Sequence, residues 1–183
     1  MPAIINSRLD KTLAAIKSLE GVTLLVGVTQ DSTKRSDTDF TNAAIAAIAE
    51  YGSPANNIPA RPVLGPAFAR SSAEVRKGFG AALNSVLAGK PGEVEGHFSA
   101  VGEAVVKAAR RQILMGDHAP LKPATLARRR AKGSMSSLPL YDTQQLYDSY
   151  TFVVRGKVAP IDSRNWWQRV APSWLGGKAA PGF

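Results

Sequence analysis

From Gly92 to Met115 the apolar residues fall at Val94, Phe98, Val101, Val105 and Ala108, in alternating steps of four and three. An α-helix returns to one face at those steps, so the segment predicts a long helix with a single buried stripe that ends at Gly116. A second helix is expected from about Ala67 to Leu87, with Phe68, Val75, Phe79, Leu83 and Val86 on one side. Two shorter amphipathic helices are expected ahead of these. One runs from Ser7 to Leu19, and the other is capped by Thr41 and runs to about Tyr51 with Ile45 and Ile48 facing inward.

Two runs read as strands because they are β-branched and too short for a buried helix. They are Val22 to Thr29 and Tyr150 to Arg155. Between the expected elements, residues 30–40 are polar and aperiodic, which predicts a loop. Residues 53–66 hold four prolines and predict an ordered connector. A short basic helix is expected over Pro123 to Lys132, with proline at its start. Another is expected over Thr143 to Ser149, capped by Asp142 or Thr143.

Composition narrows the chemistry. The chain has 183 residues and no cysteine, which excludes a disulfide framework, a thiolate metal site and a cysteine nucleophile. No apolar run reaches the ~20 residues of a bilayer span, and residues 1–20 lack the features of a signal peptide. The net charge of +9 is unevenly placed. Residues 1–106 hold ten basic and ten acidic side chains, so all of the excess lies in the last 77 residues. Such asymmetry suggests a partner of opposite sign, either nucleic acid or an acidic protein surface; a solubilising face is the alternative.

Catalytic constellations are not visible. His97 reads as a partly exposed histidine on a helix face, and His118 stands in a loop beside Asp117. Neither belongs to a set of three or four convergent ligands, and no metal is expected. Glu93 and Glu95, two apart, diverge around a helix and support its N-terminus. Gly89-Lys90 lacks the rest of a phosphate loop. The densest charge, Arg128-Arg129-Arg130 with Lys132, fans around a helix and, together with Arg110 and Arg111, can form a basic patch. It suits solvent, an acidic neighbour or non-specific phosphate contact.

Residues 156–183 differ in kind. They combine prolines, glycines and all three tryptophans, Trp166, Trp167 and Trp174. The Gly/Pro content argues against regular structure, and the aromatics argue against simple disorder. An extended C-terminal arm over 157–183 fits both, docked either on another subunit or back on its own domain.

Three fragments in order resemble a known family. The first is Ala46-Ala47-Ile48-Ala49-Glu50-Tyr51-Gly52 followed by Asn57-Ile58-Pro59-Ala60-Arg61-Pro62-Val63-Leu64. The second is Ala119-Pro120-Leu121-Lys122-Pro123-Ala124-Thr125-Leu126-Ala127-Arg128-Arg129. The third is Pro139-Leu140-Tyr141-Asp142-Thr143-Gln144-Gln145-Leu146-Tyr147-Asp148-Ser149-Tyr150, running into Phe152-Val153-Val154. Together they resemble the tail-completion or neck proteins of tailed phages, the virion morphogenesis group that includes the phage Mu type. The resemblance covers about residues 20–156. It departs at Gln144, where the family commonly has glycine. A left-handed backbone would strain glutamine, so a different local turn is expected there.

The resemblance implies an α+β fold, a small antiparallel sheet packed with several helices, over residues 1–156. It implies a structural protein of the neck or upper tail end that joins head to tail as a homo-oligomeric ring, six-fold by preference. No enzymatic activity and no cofactor are expected. The implied partners are other copies of the chain and neighbouring neck, tail-tube or sheath proteins, with possible non-specific contact to packaged DNA and none to membrane. The implied location is the virion, after assembly in the host cytoplasm. Alternatives are a minor tail protein elsewhere in the virion or a DNA-binding accessory protein. Candidate interface residues are Arg61, held between two prolines and directed outward or into a carboxylate, with Arg128, Arg129, Arg130, Trp166, Trp167 and Trp174.

Overall fold

A computed structural model describes Leu19, residues 21–29 and residues 40–156. The expected helix at 7–19 (Leu19 apart), the loop at 30–39 and the arm with Trp166, Trp167 and Trp174 lie outside the described residues. Among those described, the architecture is α+β, with six α-helices and one two-stranded antiparallel sheet.

Strand β1 (Thr23–Val28) opens the sheet, and β2 (Tyr150–Arg155) closes it from the far end of the described chain. Their register pairs Thr23 with Arg155, Val26 with Phe152 and Val28 with Tyr150. Directly opposed residues share a face. Leu24, Val26, Val28, Tyr150, Phe152 and Val154 accordingly turn together onto the core.

The long helix that the stripe predicts lies on this face. We number the helices α1 (Asn42–Tyr51), α2 (Leu64–Arg70), α3 (Ser72–Leu87), α4 (Val94–Met115), α5 (Pro123–Ala131) and α6 (Gln145–Ser149). Val94, Phe98, Val101 and Val105 of α4 are buried as their spacing requires, joined by Ala109 and Ile113 further along. At Gly102 the helix meets the sheet so closely that a Cβ would overlap the Phe152 ring. Phe79 meets Phe98 edge-on, ring centres 4.8 Å apart.

The segment expected as one helix from Ala67 to Leu87 is two. It starts earlier, at Leu64, and breaks at Ser71, whose backbone sits at φ −92° and ψ 12°. Val75 and Val86 pack against the core as expected. Phe68 and Phe79 are 43% and 48% exposed, while Ala67, Ser71, Ala82 and Ser85 are buried. Small residues face α4 because the helices approach closely. A Cβ on Gly78 would overlap Val101.

Helix α1 starts as expected, with Thr41 Oγ1 accepting from the Ala44 amide at 3.1 Å. It stops at Gly52, whose φ of 73° and close approach to Ala60 exclude a side chain. Its buried residues are Asn42, Ala43, Ala44 and Ala49, while Ile45 packs at the core margin. Helix α6 begins two residues later than expected. Gln144 occupies the cap position without a side-chain bond, at φ 63° and ψ −15°. The turn therefore takes the left-handed conformation that glycine would adopt freely, contrary to the expectation of a different local turn.

Candidate functional site

The three fragments behind the family resemblance meet in space, and charged side chains join them. Glu50, at the end of α1, reaches the start of α2. Its Oε2 accepts from the amides of Val63 at 2.7 Å and Leu64 at 2.9 Å, and its Oε1 from Gly65 at 3.1 Å. The first amides of any helix lack an intrahelical acceptor, and a carboxylate there also meets the positive end of the helix dipole. This explains how α2 starts before Pro66. A proline in the first turn surrenders no hydrogen bond, and Glu50 supplies the acceptors that the local sequence lacks.

Arg61 leaves the proline connector and grips the second fragment. Its Nε donates to the Ala119 carbonyl at 2.8 Å and its Nη2 to that of Pro120 at 3.2 Å. It meets carbonyls, not the carboxylate that its setting between prolines allowed. Burial, and after it the nearby Arg129 charge, push its pKa down from the usual arginine value. Lys122 reaches back to the Asn57 carbonyl at 3.2 Å.

Arg129 completes the set. Its Nη1 donates to the carbonyls of Ser136 at 3.2 Å and Leu138 at 2.7 Å, and its Nη2 to Pro139 at 3.0 Å. Its Nε faces Asp142 Oδ2 at 3.3 Å, with the side chain only 11% exposed. Asp142 also accepts from Ser134 Oγ, which is why it does not cap α6. An irregular segment has carbonyls with no regular partner, and a guanidinium offers five donors in a fixed fork.

The arginine triplet thus divides. Arg129 turns inward, and Arg128 and Arg130 are exposed on either side of it. Of the residues singled out in the sequence, Arg61 and Arg129 are engaged within the chain. Arg128 and Arg130 face outward, and the tryptophans are not described.

A second feature lies between α4 and β2, a groove of about 610 Å³. Val106, Leu114, Met115 and Phe152 give it an apolar floor, and Lys107, Arg110 and Arg111 a basic rim. Arg110 Nη2 donates to the Tyr150 carbonyl at 3.2 Å, and the guanidinium stands over the Tyr147 ring at 5.4 Å. Its Nε is buried with no acceptor among the described residues. None of the α5 arginines lines this groove, so the basic residues form two separate groups. Helical spacing alone puts Lys107, Arg111 and Leu114 on one side of α4. The partner surface on β2 has no sequence signal, because it is set by strand pairing.

Catalytic geometry is not assembled at the remaining polar cluster. Ser85 Oγ donates to Glu93 Oε2 at 2.9 Å and lies 3.0 Å from His97 Nε2. The serine stands between acid and imidazole, whereas a nucleophile relay needs the imidazole between serine and acid. The Ser85 hydroxyl, followed by Lys90 at 3.5 Å, holds the Glu93 carboxyl below its ordinary pKa. His118 Nε2 lies 2.8 Å from the Gln112 carbonyl at the end of α4, where it closes a helix terminus. Among the described residues no group of three or more His, Asp or Glu side chains is placed to hold a metal ion. No helix among them is long and apolar enough to cross a membrane.

Comparison with family models, curated proteins and solved structures finds no match.

Proposed function

We propose that the chain is a structural subunit of a tailed phage, a neck or tail-completion protein that acts in a homo-oligomeric ring and joins the upper end of the tail to the head. One observation supports this reading above the others. Glu50, Arg61, Lys122 and Arg129, all within the fragments that carry the resemblance, are spent on fastening one segment of the chain to another: helix end to helix start, loop to loop, and helix to loop. These polar residues thus serve a shape, as a scaffold requires. An enzyme would instead turn such residues toward a substrate pocket.

In this reading the exposed arginines of α5 and residues 157–183 form contacts between subunits or between rings. Imaging of assembled particles, with the mass of the purified chain in native solution, tests it. The expected result is a ring of several copies at the upper end of the tail. A purified chain that stays single at all concentrations and is absent from particles overturns the reading. Removal of residues 157–183 is expected to leave the described domain folded and to block joining of head and tail.

A DNA-binding accessory protein is the second reading, favoured by the exposure of Arg128 and Arg130 on one short helix and of Lys132 at its C-terminal cap. It requires duplex affinity that falls steeply with salt, with a logarithmic slope of about −0.9 per phosphate neutralised. Absence of duplex binding at low salt excludes it.

A further inference from the structure

Three cations line the groove beside α4, Lys107, Arg110 and Arg111, against a single acid, Glu103. Among the described residues the ion pairs are Lys90 with Glu93 and Arg129 with Asp142, and neither involves these three. None of the three stands in the last turn of α4, where the helix dipole would favour it. Lys107 and Arg111, one turn apart, repel each other. Arg110 is held in place, with Nη2 on the Tyr150 carbonyl and the guanidinium over the Tyr147 ring. The groove thus keeps one positive charge at a set position beside two that are exposed.

Apolar surface adjoins these charges. Met115 is 72% exposed and Leu114 36%. A ligand that covers both must be anionic and apolar at once. Single-stranded nucleic acid fits this less well, because it binds along a cationic track with bases stacked on open aromatic rings. The rings that line this groove are already in use. Tyr147 lies under Arg110, Phe152 packs on Gly102, and Tyr150 is buried. What stands exposed is aliphatic. Arg110 also occupies the Tyr150 carbonyl, so a ligand is held here by its side chains and not as an added strand. Residues 157–183 carry four basic side chains and one acid, the wrong sign for this rim.

We infer that the groove binds an acidic, aliphatic segment of a partner protein. An Asp or Glu carboxylate of that segment meets Lys107, Arg110 and Arg111, and an aliphatic side chain two residues further on lies against Leu114 and Met115. The spacing agrees. At a helical rise of 1.5 Å per residue, the midpoint of Lys107 and Arg111 lies about 8 Å along α4 from that of Leu114 and Met115. Two residues of extended chain span about 7 Å. A guanidinium receives a carboxylate through charge-assisted hydrogen bonds, which gives the acid a fixed seat. The inference goes beyond the ring reading and holds for a single copy of the chain.

The probe is a blocked peptide, Gly-Glu-Ser-Leu-Glu-Ser-Leu-Gly, titrated into the isotope-labelled full-length chain while backbone amide resonances are followed. Saturable shifts are expected within residues 103–115 and 150–152. A peptide with Gln for both Glu, and one with Ser for both Leu, are each expected to bind about tenfold more weakly. In the protein, Lys107→Glu with Arg111→Glu is expected to abolish the shifts with an unchanged circular dichroism spectrum, and Arg128→Glu with Arg130→Glu to leave them as they are. Equal binding of the Gln peptide, or full binding by the first variant, overturns the inference. So does the absence of saturable shifts. The same shifts produced by oligothymidylate, with displacement of the peptide, overturn it in favour of nucleic acid. The same shifts on concentrating the chain without peptide overturn it in favour of a second copy.

Discussion

The ring of Phe152 occupies the space that a Cβ on Gly102 would need, and this contact fixes how near α4 lies to the sheet. It decides between two opposing effects of Gly102→Ala. Alanine in a helix interior gains about 1 kcal/mol over glycine. Overpacking a tight core contact costs about 1–3 kcal/mol. The expected outcome is net destabilisation, read as a lower midpoint in urea unfolding. Gly96→Ala is the control. It lies on the same helix with open space around it, so it is expected to stabilise by up to about 1 kcal/mol. Equal effects at both positions would sink this account.

Arg129 and its neighbours give a sharper contrast. Arg129→Ala removes the donors of three carbonyls and the partner of Asp142. Hydrogen bonds to a charged group contribute about 1.5–3 kcal/mol each, so a loss of several kcal/mol is expected. Arg129→Lys is expected to recover little of it, because an ammonium cannot reproduce the planar fork. Arg128→Ala and Arg130→Ala, both exposed, are expected to lie within about 0.5 kcal/mol of the parent. Thermal unfolding of the four variants tests the ranking.

Gln144 holds a positive φ that costs a residue with a Cβ about 1 kcal/mol or more. Gln144→Gly removes the strain and adds back part of it as chain entropy in the unfolded state. A net gain of up to about 1 kcal/mol is expected, measured as a raised unfolding temperature. A loss of stability would mean that the glutamine side chain contributes more than the strain costs.

Tyr150 makes folding sensitive to alkali. It is 1% exposed, and burial, followed by the Glu50 carboxylate, pushes its pKa well above the ordinary tyrosine value. Below about pH 10 both folded and unfolded chains keep the phenol proton, and the full stability is present. Above it the unfolded state loses the proton first, so stability falls as pH rises toward the folded value. Unfolding free energies measured from pH 8 to 11 are expected to decline, and Tyr150→Phe is expected to flatten the decline. An unchanged slope in that variant would remove Tyr150 as its cause.

Much of this molecule was legible in the sequence where a single element decided the outcome. The stripe from Val94 to Val105 predicted α4, the β-branched runs predicted both strands, and Thr41 and Gly52 marked the ends of α1. These features depend on contacts within a few residues. Their periodicity and caps are written locally.

What only the tertiary structure decided depends on residues far apart in the chain. Helix α2 begins before its proline because Glu50, thirteen residues before Val63, supplies the acceptors. The helix expected to bury Phe68 and Phe79 breaks at Ser71 and leaves both partly exposed, and where α4 comes closest, at Gly78 against Val101, no side chain fits between the helices. Gln144 is left-handed in a loop that Arg129 holds through Asp142 and Pro139. The groove beside β2 exists because strands at opposite ends of the described chain pair and bring Tyr150 and Phe152 alongside α4. Local periodicity determined which elements form. Packing at close approach, and the need of loop carbonyls for donors, decided where they begin, what they bury and which charges remain outside.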